Sequence, residues 1–203
     1  MREFVTPDFQ ADHSQWEELL TLAFLNDPLL VWFTPDPATR EQRLRGFFAA
    51  ELRYFHRHST VDVLHDAQGQ ILGLGIWVAP DAPAPSKLAK FLYARAIRRA
   101  IGRKYAGRVH LMNQRFANLA PTTPHWYLAY VATSPITSGQ GVGKDLISRG
   151  VGRGDAAGIG VYLESSNQGN DAYYHKFGFQ DVTCVQFPAG PACNTMWREA
   201  QGK

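Results

Sequence analysis

An α/β fold is what the sequence predicts, and three observations predict it. A strand-like run, HWYLAYVAT (His125 to Thr133), leads through a glycine-rich turn into a run with helical spacing, Val142 to Ala157. A second apolar strand, Val161 to Ser165, is followed by a polar loop and a short helical stretch, Asn170 to Phe177. Ahead of both, TVDVLHD and ILGLGIWVA flank Ala67-Gln68-Gly69 as a hairpin. Strands interleaved with helices imply a sheet covered by helices.

Taken in order, residues 1–8 read as a strand or extended lead-in. Ser14 with Glu17 three residues on forms a capping box before WEELLTLAFL, whose Trp16, Leu19, Leu20, Ala23 and Phe24 recur at helical spacing. Asn26-Asp27-Pro28 ends that helix. The short apolar LLVWF follows, then a turn at Thr34 to Pro37. A second helix is expected from about Thr39 to His58, with Leu44, Phe47, Phe48, Glu51, Leu52 and Phe55 on related faces. After the hairpin (Thr60 to Asp66, Ile71 to Ala79), Asp81 to Pro85 is a loop and Lys87 to Ile101 a helix. Gly102 and Gly107 should interrupt it before a further helix at Val109 to Asn118. Pro121 to Pro124 breaks the chain ahead of the long strand. Asp181 to Phe187 and Thr195 to Arg198 close it as a hairpin. No repeat or low-complexity segment divides the chain. One domain, 1–203, is expected.

A chain of 203 residues, 45% hydrophobic and 19% charged, is large enough for one sizeable core and too apolar for a disordered chain. No apolar run approaches the roughly 20 residues needed to span a bilayer, and MREFVTPDFQADH lacks a signal-peptide core. A cytoplasmic protein without membrane contact is the expectation. Cys184 and Cys193 lack metal-ligand spacing and read as small fillers of the last hairpin. The seven histidines (13, 56, 58, 65, 110, 125 and 175) show no ligand spacing either, so no metal is expected. Net charge is +3, yet from Ala82 to Lys144 there is no acid among ten Lys and Arg residues. That stretch reads as a solvated helix face or as an electropositive rim attracting an anion. Nucleic-acid motifs and interleaved aromatics are missing, so no nucleic-acid partner is expected.

The stretch SGQGVGKDL, Ser138 to Leu146, carries the chemistry. Glycines between a strand and a helix expose bare N–H groups at the positive end of a helix dipole, an anion-binding device. A Walker A loop fails here, because Ser138 replaces its first glycine and Asp145 its magnesium-binding hydroxyl. The dinucleotide fingerprint fails because Lys144 stands where the third glycine belongs. The pattern Arg/Gln-x-x-Gly-x-Gly/Ala, which grips the pyrophosphate of coenzyme A, fits Gly141 and Gly143, with Ser138 at the Arg/Gln position.

With VATSP before it and YLESSNQGNDAYYHKFGF (Tyr162 to Phe179) after it, this segment resembles the acetyl-CoA site of the GNAT-superfamily N-acetyltransferases. Within them, AFLNDPLLVWFTPDPATR and VQFPAGPACNTMWRE are similar to puromycin N-acetyltransferase and related small-molecule enzymes. The resemblance implies a GNAT fold, a mixed sheet of about seven strands whose parallel central pair splays apart. It makes 1–120 the acceptor-side half and 121–203 the acetyl-CoA half. The pantetheine arm would bond to main chain at Val131, Ala132 and Thr133, and the pyrophosphate to Ser138, Gly139, Gln140, Gly141, Val142, Gly143 and Lys144. Serine at 138 is shorter and neutral, so weaker cofactor affinity is expected, with Gln140 or Lys144 compensating.

Further roles follow from the same resemblance. In Asn-x-x-x-Tyr-x-x-x-Gly-Phe, Asn170 contacts the cofactor and Tyr174 protonates the departing thiolate, a task suited to a phenol of reference pKa about 10. Tyr173 should face elsewhere, and Asn167 could be a turn residue. Glu164 is the candidate for deprotonating or binding the acceptor ammonium, provided burial raises its pKa or water carries the proton. His125 is a remote alternative base. Asp27 and Trp32 are candidate acceptor contacts. The expected reaction is acetyl transfer from acetyl-CoA to a small-molecule primary amine by direct attack in a ternary complex. A protein N-terminus as acceptor, or an acyl-CoA-binding protein without catalysis, are the alternatives. The C-terminal hairpin could pair two subunits as a homodimer.

Overall fold

The computed structural model describes residues 2–56 and 58–202. Strands β1 (Glu3–Val5), β2 (Ser59–His65), β3 (Ile71–Val78), β4 (Trp126–Thr133), β5 (Val161–Ser165), β6 (Gln180–Gln186) and β7 (Ala192–Arg198) form one sheet ordered β1-β2-β3-β4-β5-β7-β6. Every pairing is antiparallel except β4 with β5. That parallel pair extends only from Trp126↔Val161 to Leu128↔Leu163. Past Leu128 and Leu163 the two strands part, and the rest of β4 loses its neighbour on that edge.

Alternation along β5 divides the sheet's two faces. Val161 and Leu163 point into a core with Trp77, Leu128, Ile147 and Val151, under helix α6 (Val142–Ala157). Tyr162 and Glu164 point to the other face. There helices α1 (Phe9–Ala23), α2 (Pro28–Phe33), α3 (Pro37–Phe55), α4 (Lys87–Ile101) and α5 (Arg103–Leu119) pack around Trp16, Phe33, Leu44, Phe47 and Phe48. A short helix, α7 (Asp171–His175), follows β5.

Several expected elements shift. Helix α1 begins at Phe9, so Ser14 lies inside it rather than capping it. The Phe9 ring packs on Trp16 and His56, and that packing draws the first turns into the helix. The short apolar LLVWF, given no element from the sequence, is most of helix α2, capped by Asp27 with Pro28 at its first position. Helix α3 ends at Phe55, before the expected His58; position 57 lies outside the described residues. Gly107 does not break α5, because its place on that helix opens onto empty space and nothing prevents the helix from continuing. Cys193 is buried as a filler, whereas Cys184 is exposed.

Helix α6 lies close to the sheet because Gly150 has no side chain. A Cβ there would come within 1.9 Å of the Trp77 ring. Gly150→Ala should therefore overpack this contact and cost about 1–3 kcal/mol, lowering Tm by several degrees. Gly152→Ala, one turn-half away on the open face, should stabilise the same helix by about 0.5–1 kcal/mol. Thermal denaturation of the two variants side by side checks the pair.

Candidate active site

The bend at the head of α6 is built by its glycines. Gly139 and Gly141 adopt φ of +75° and +80°, a left-handed conformation that side chains rarely take. Gly141 is the N-cap, and no side chain caps the helix. The first N–H groups of a helix have no partner within it, and here they face out beside the parting of β4 and β5. At Gly143 a Cβ would stand 3.2 Å from the Tyr173 hydroxyl and 3.6 Å from the Thr133 methyl. Bare amides at a positive dipole end, beside a strand with a free edge, fit a pyrophosphate continued by an extended arm. Val131 and Thr133 lie on that edge, with Ala132 turned into the opposite core.

Ser138, Gln140 and Lys144 are exposed around this bend. The Gln140 side chain turns back to donate to the Ile136 carbonyl (3.1 Å). A cation reaches the loop from elsewhere in the chain. Arg2, beside β1, donates to the Gln140 carbonyl (2.6 Å) and pairs with Asp145 in the first turn of α6 (2.8 Å). It neutralises the carboxylate that would repel an anion. Nothing local to the glycine motif signals this residue, since 138 positions separate it from Gln140.

On the opposite face of the sheet, a cavity of about 810 Å³ lies over β4 and β5. Phe47, Glu51 and Tyr54 of α3, Tyr93 of α4 and Asn113 of α5 line it, with Tyr127, Tyr130, Tyr162 and Glu164 on its sheet side and Tyr174 of α7 beside them. A bulge makes this possible. Ile76 pairs with Tyr130 and Trp77 with Leu128, leaving Ala129 as an extra residue. The extra residue reverses the alternation, so Tyr127 and Tyr130, three positions apart, face the same side.

Glu164 accepts a hydrogen bond from the Tyr127 hydroxyl (2.6 Å). Burial pushes its carboxyl up to about 7, with the Tyr127 and Tyr162 hydroxyls opposing that rise. The Tyr162 hydroxyl is itself buried beside Glu164. Tyr174 lines the same cavity, its ring against Phe179. Burial first, and then the charge of Asp27, hold its hydroxyl well above the usual phenol range, so it stays protonated. The adjacent Tyr173 turns the other way, to Gly143. His125 stands at the cavity wall with Nδ1 2.7 Å from the Thr123 carbonyl.

The β5–α7 connection is fixed by Asp171, which accepts from the Ser165 hydroxyl (2.5 Å) and the Asn194 amide (2.7 Å). Asn167 accepts from the Gly169 N–H (2.9 Å) as a turn residue, and Asn170 lies exposed at the start of α7.

Two expected acceptor contacts lie outside the cavity wall. Asp27 is committed to the start of α2, accepting from the Leu29 and Leu30 N–H groups (3.0 and 3.2 Å) and from the Ser166 hydroxyl (2.6 Å). The Trp32 indole donates to the Pro188 carbonyl (3.2 Å), packs on Phe187 and lies under the Arg108 guanidinium. Both serve packing. A second carboxylate, Glu51, lines the cavity together with Glu164. It accepts from the Tyr93 hydroxyl, and burial pushes it up to about 7 despite help from Tyr93 and Tyr130. Its sequence signal was an acid among the core positions of α3.

Residues 1–179 match the acetyltransferase (GNAT) family. The chain belongs to that family. An uncharacterized N-acetyltransferase of Schizosaccharomyces pombe is 26% identical over 182 residues, covering 83% of this chain and 70% of the relative. Among solved structures, a Corynebacterium glutamicum protein described as histone acetyltransferase HPA2 and related acetyltransferase superposes with a TM-score of 0.71. It has 24% identity over 98% of this chain and 97% of the other. The Drosophila melanogaster polyamine N-acetyltransferase, which forms N-acetylagmatine, gives 0.61 and 16% over 98% and 100%. At these identities both structures show the fold. This GNAT acetyltransferase is thus an acetyl-CoA-dependent acyltransferase, with a mixed seven-stranded sheet that opens between β4 and β5.

Proposed function

We propose that the chain transfers acetyl from acetyl-CoA to the primary amine of a small molecule, by direct attack with both substrates bound. The observation that carries this reading is the meeting of two spaces at one point. An anion-binding bend and a free strand edge lie on the α6 side, and a half-open cavity with two carboxylates lies on the other. Bound acetyl-CoA supplies the thioester. The amides from Gly139 to Lys144 hold its diphosphate, and Val131 and Thr133 offer main-chain groups to its arm. Glu164 takes the proton from the acceptor ammonium, directly or through water. As the nitrogen–carbon bond forms and the carbon–sulfur bond breaks, Tyr174 gives its proton to sulfur and takes back the one that the nitrogen sheds as the amide forms. Asn170 is placed to contact the cofactor at the rim.

A cavity of about 810 Å³ is of the size that small-molecule sites have, which favours a small acceptor. Puromycin-type amino nucleosides, to which the sequence resemblance points, belong in the acceptor panel alongside alkylamines. Thiol release from acetyl-CoA across such a panel tests the reading. Amine-dependent release supports it. Saturable acetyl-CoA binding with no release on any amine would overturn it in favour of an acyl-CoA-binding protein.

Arg2 takes the part that Ser138 cannot. Arg2→Ala leaves Asp145 unpaired beside the diphosphate, and KM for acetyl-CoA should rise about fivefold, an effect on the order of 1 kcal/mol. The rise should shrink with added salt, which screens exposed charges. Initial rates at low and high ionic strength measure both.

A further inference from the structure

The proposed reaction uses Glu164 and leaves Glu51 without a task. Both carboxylates line one cavity, Glu51 buried and Glu164 half-buried, and neither has a cationic partner within 4.0 Å among the described residues. Their neighbours are neutral phenols: Tyr127 and Tyr162 at Glu164, Tyr93 and Tyr130 at Glu51. A buried acid with no counter-charge is costly. Lys90 lies at the cavity wall but is exposed and makes no ion pair with either acid.

The surroundings of Glu51 suit a cation. The Tyr54 and Tyr93 rings lie 4.6 Å apart beside it, and Tyr130 closes the group, with its own ring fixed edge-on by Phe24, Phe48 and Phe55. Aromatic faces around an acid are a setting that attracts ammonium groups. Tyr93 is held in turn by the Asn113 amide (3.3 Å). Apolar residues, among them Phe24, Leu30, Leu128 and Ala129, also line the cavity. The tyrosines beside the two acids give a measure of the span. Tyr127, bonded to one acid, and Tyr130, beside the other, are three residues apart on β4, a span of roughly 10 Å at most.

Resting on the proposed amine acetylation, we propose that the acceptor is an aliphatic diamine. Its reacting nitrogen lies at Glu164, and its second, protonated nitrogen is bound by Glu51 within the Tyr54, Tyr93 and Tyr130 cluster. A chain of about four to six methylene groups bridges the span that three strand residues set. Glu51 is then a specificity-determining residue that holds the far end of the acceptor.

Thiol release at saturating acetyl-CoA, with 1,5-diaminopentane and pentylamine compared at equal concentration, tests this. The diamine should give a kcat/KM at least about tenfold higher, as one charge-assisted hydrogen bond would produce. In a series from three to eight methylenes the advantage should peak in the middle. Glu51→Gln should bring the diamine-to-monoamine ratio close to one, chiefly through a higher diamine KM. A thermal shift with acetyl-CoA shows that the variant is folded. Equal rates for the two amines in the unaltered protein would overturn the diamine assignment and leave amine acetylation standing. Acetyl-CoA binding with release on neither amine, nor on any other in the panel, would overturn both.

Discussion

Glu164→Gln should lower kcat by about 10²- to 10⁴-fold, the range that a positioned base supplies. Gln keeps the shape and still accepts from the Tyr127 hydroxyl, so the cavity stays intact while the proton acceptor is lost. In the unaltered enzyme the pH profile of kcat should rise through about pH 7, where burial has placed the Glu164 carboxyl, and then level off. Glu51 titrates in the same range, so the variant assigns the limb: removal of Glu164 should flatten it. Stability should move in the opposite direction. The folded carboxyl titrates near 7 against an ordinary 4.5. Between those values the folded state therefore binds more protons than the unfolded one, and stability falls as pH rises through that window. The shift corresponds to roughly 3 kcal/mol. The amide avoids this penalty, so Glu164→Gln should be at least as stable as the parent above pH 7. A melting curve at pH 8 beside the kinetics would show an inactive protein that melts no earlier. An active variant would remove Glu164 from the chemistry.

Tyr174→Phe should lower kcat by about 10²-fold with little change in either KM, as the proposed proton transfer from its hydroxyl to the departing sulfur requires. The ring keeps its packing on Phe179. The diagnostic is the leaving group. With an acetyl thioester of a more acidic thiol, which leaves without a proton, the defect should shrink toward tenfold or less. Tyr173→Phe serves as the contrast, because that hydroxyl lies at Gly143 and should affect acetyl-CoA affinity instead. A Tyr174→Phe defect that ignores the leaving group would assign the hydroxyl to acceptor binding.

Much of this fold was legible because local signals and packing agree. Helices α4 and α6 and strand β5 begin and end where periodicity and turn residues put them. The start of α1 was not legible, because Ser14 and Glu17 form a sound local cap that the packing of Phe9 overrides. Helix α2 was too short for periodicity, although Asp27-Pro28 carried an N-cap signature that went unread.

The site divides along the same line. The glycine bend is a local motif, so spacing finds it. The cavity over β4 and β5 depends on a bulge at Ala129 that turns Tyr127 and Tyr130 to one face and on a helix that brings in Glu51, while the bend draws its cation from distant Arg2. Those are long-range arrangements without a short-range signature. For the same reason Asp27 and Trp32, conspicuous in sequence, belong to packing, and the quieter Glu51 belongs to the cavity.

A crystal structure of the protein with coenzyme A and an unreactive acceptor analogue tests the central claim most directly. The diphosphate should lie on the amides of Gly139 to Lys144, the sulfur within hydrogen-bonding distance of the Tyr174 hydroxyl, and the analogue's nitrogen beside Glu164. A diphosphate bound away from that bend, or a sulfur remote from both side chains, would contradict it.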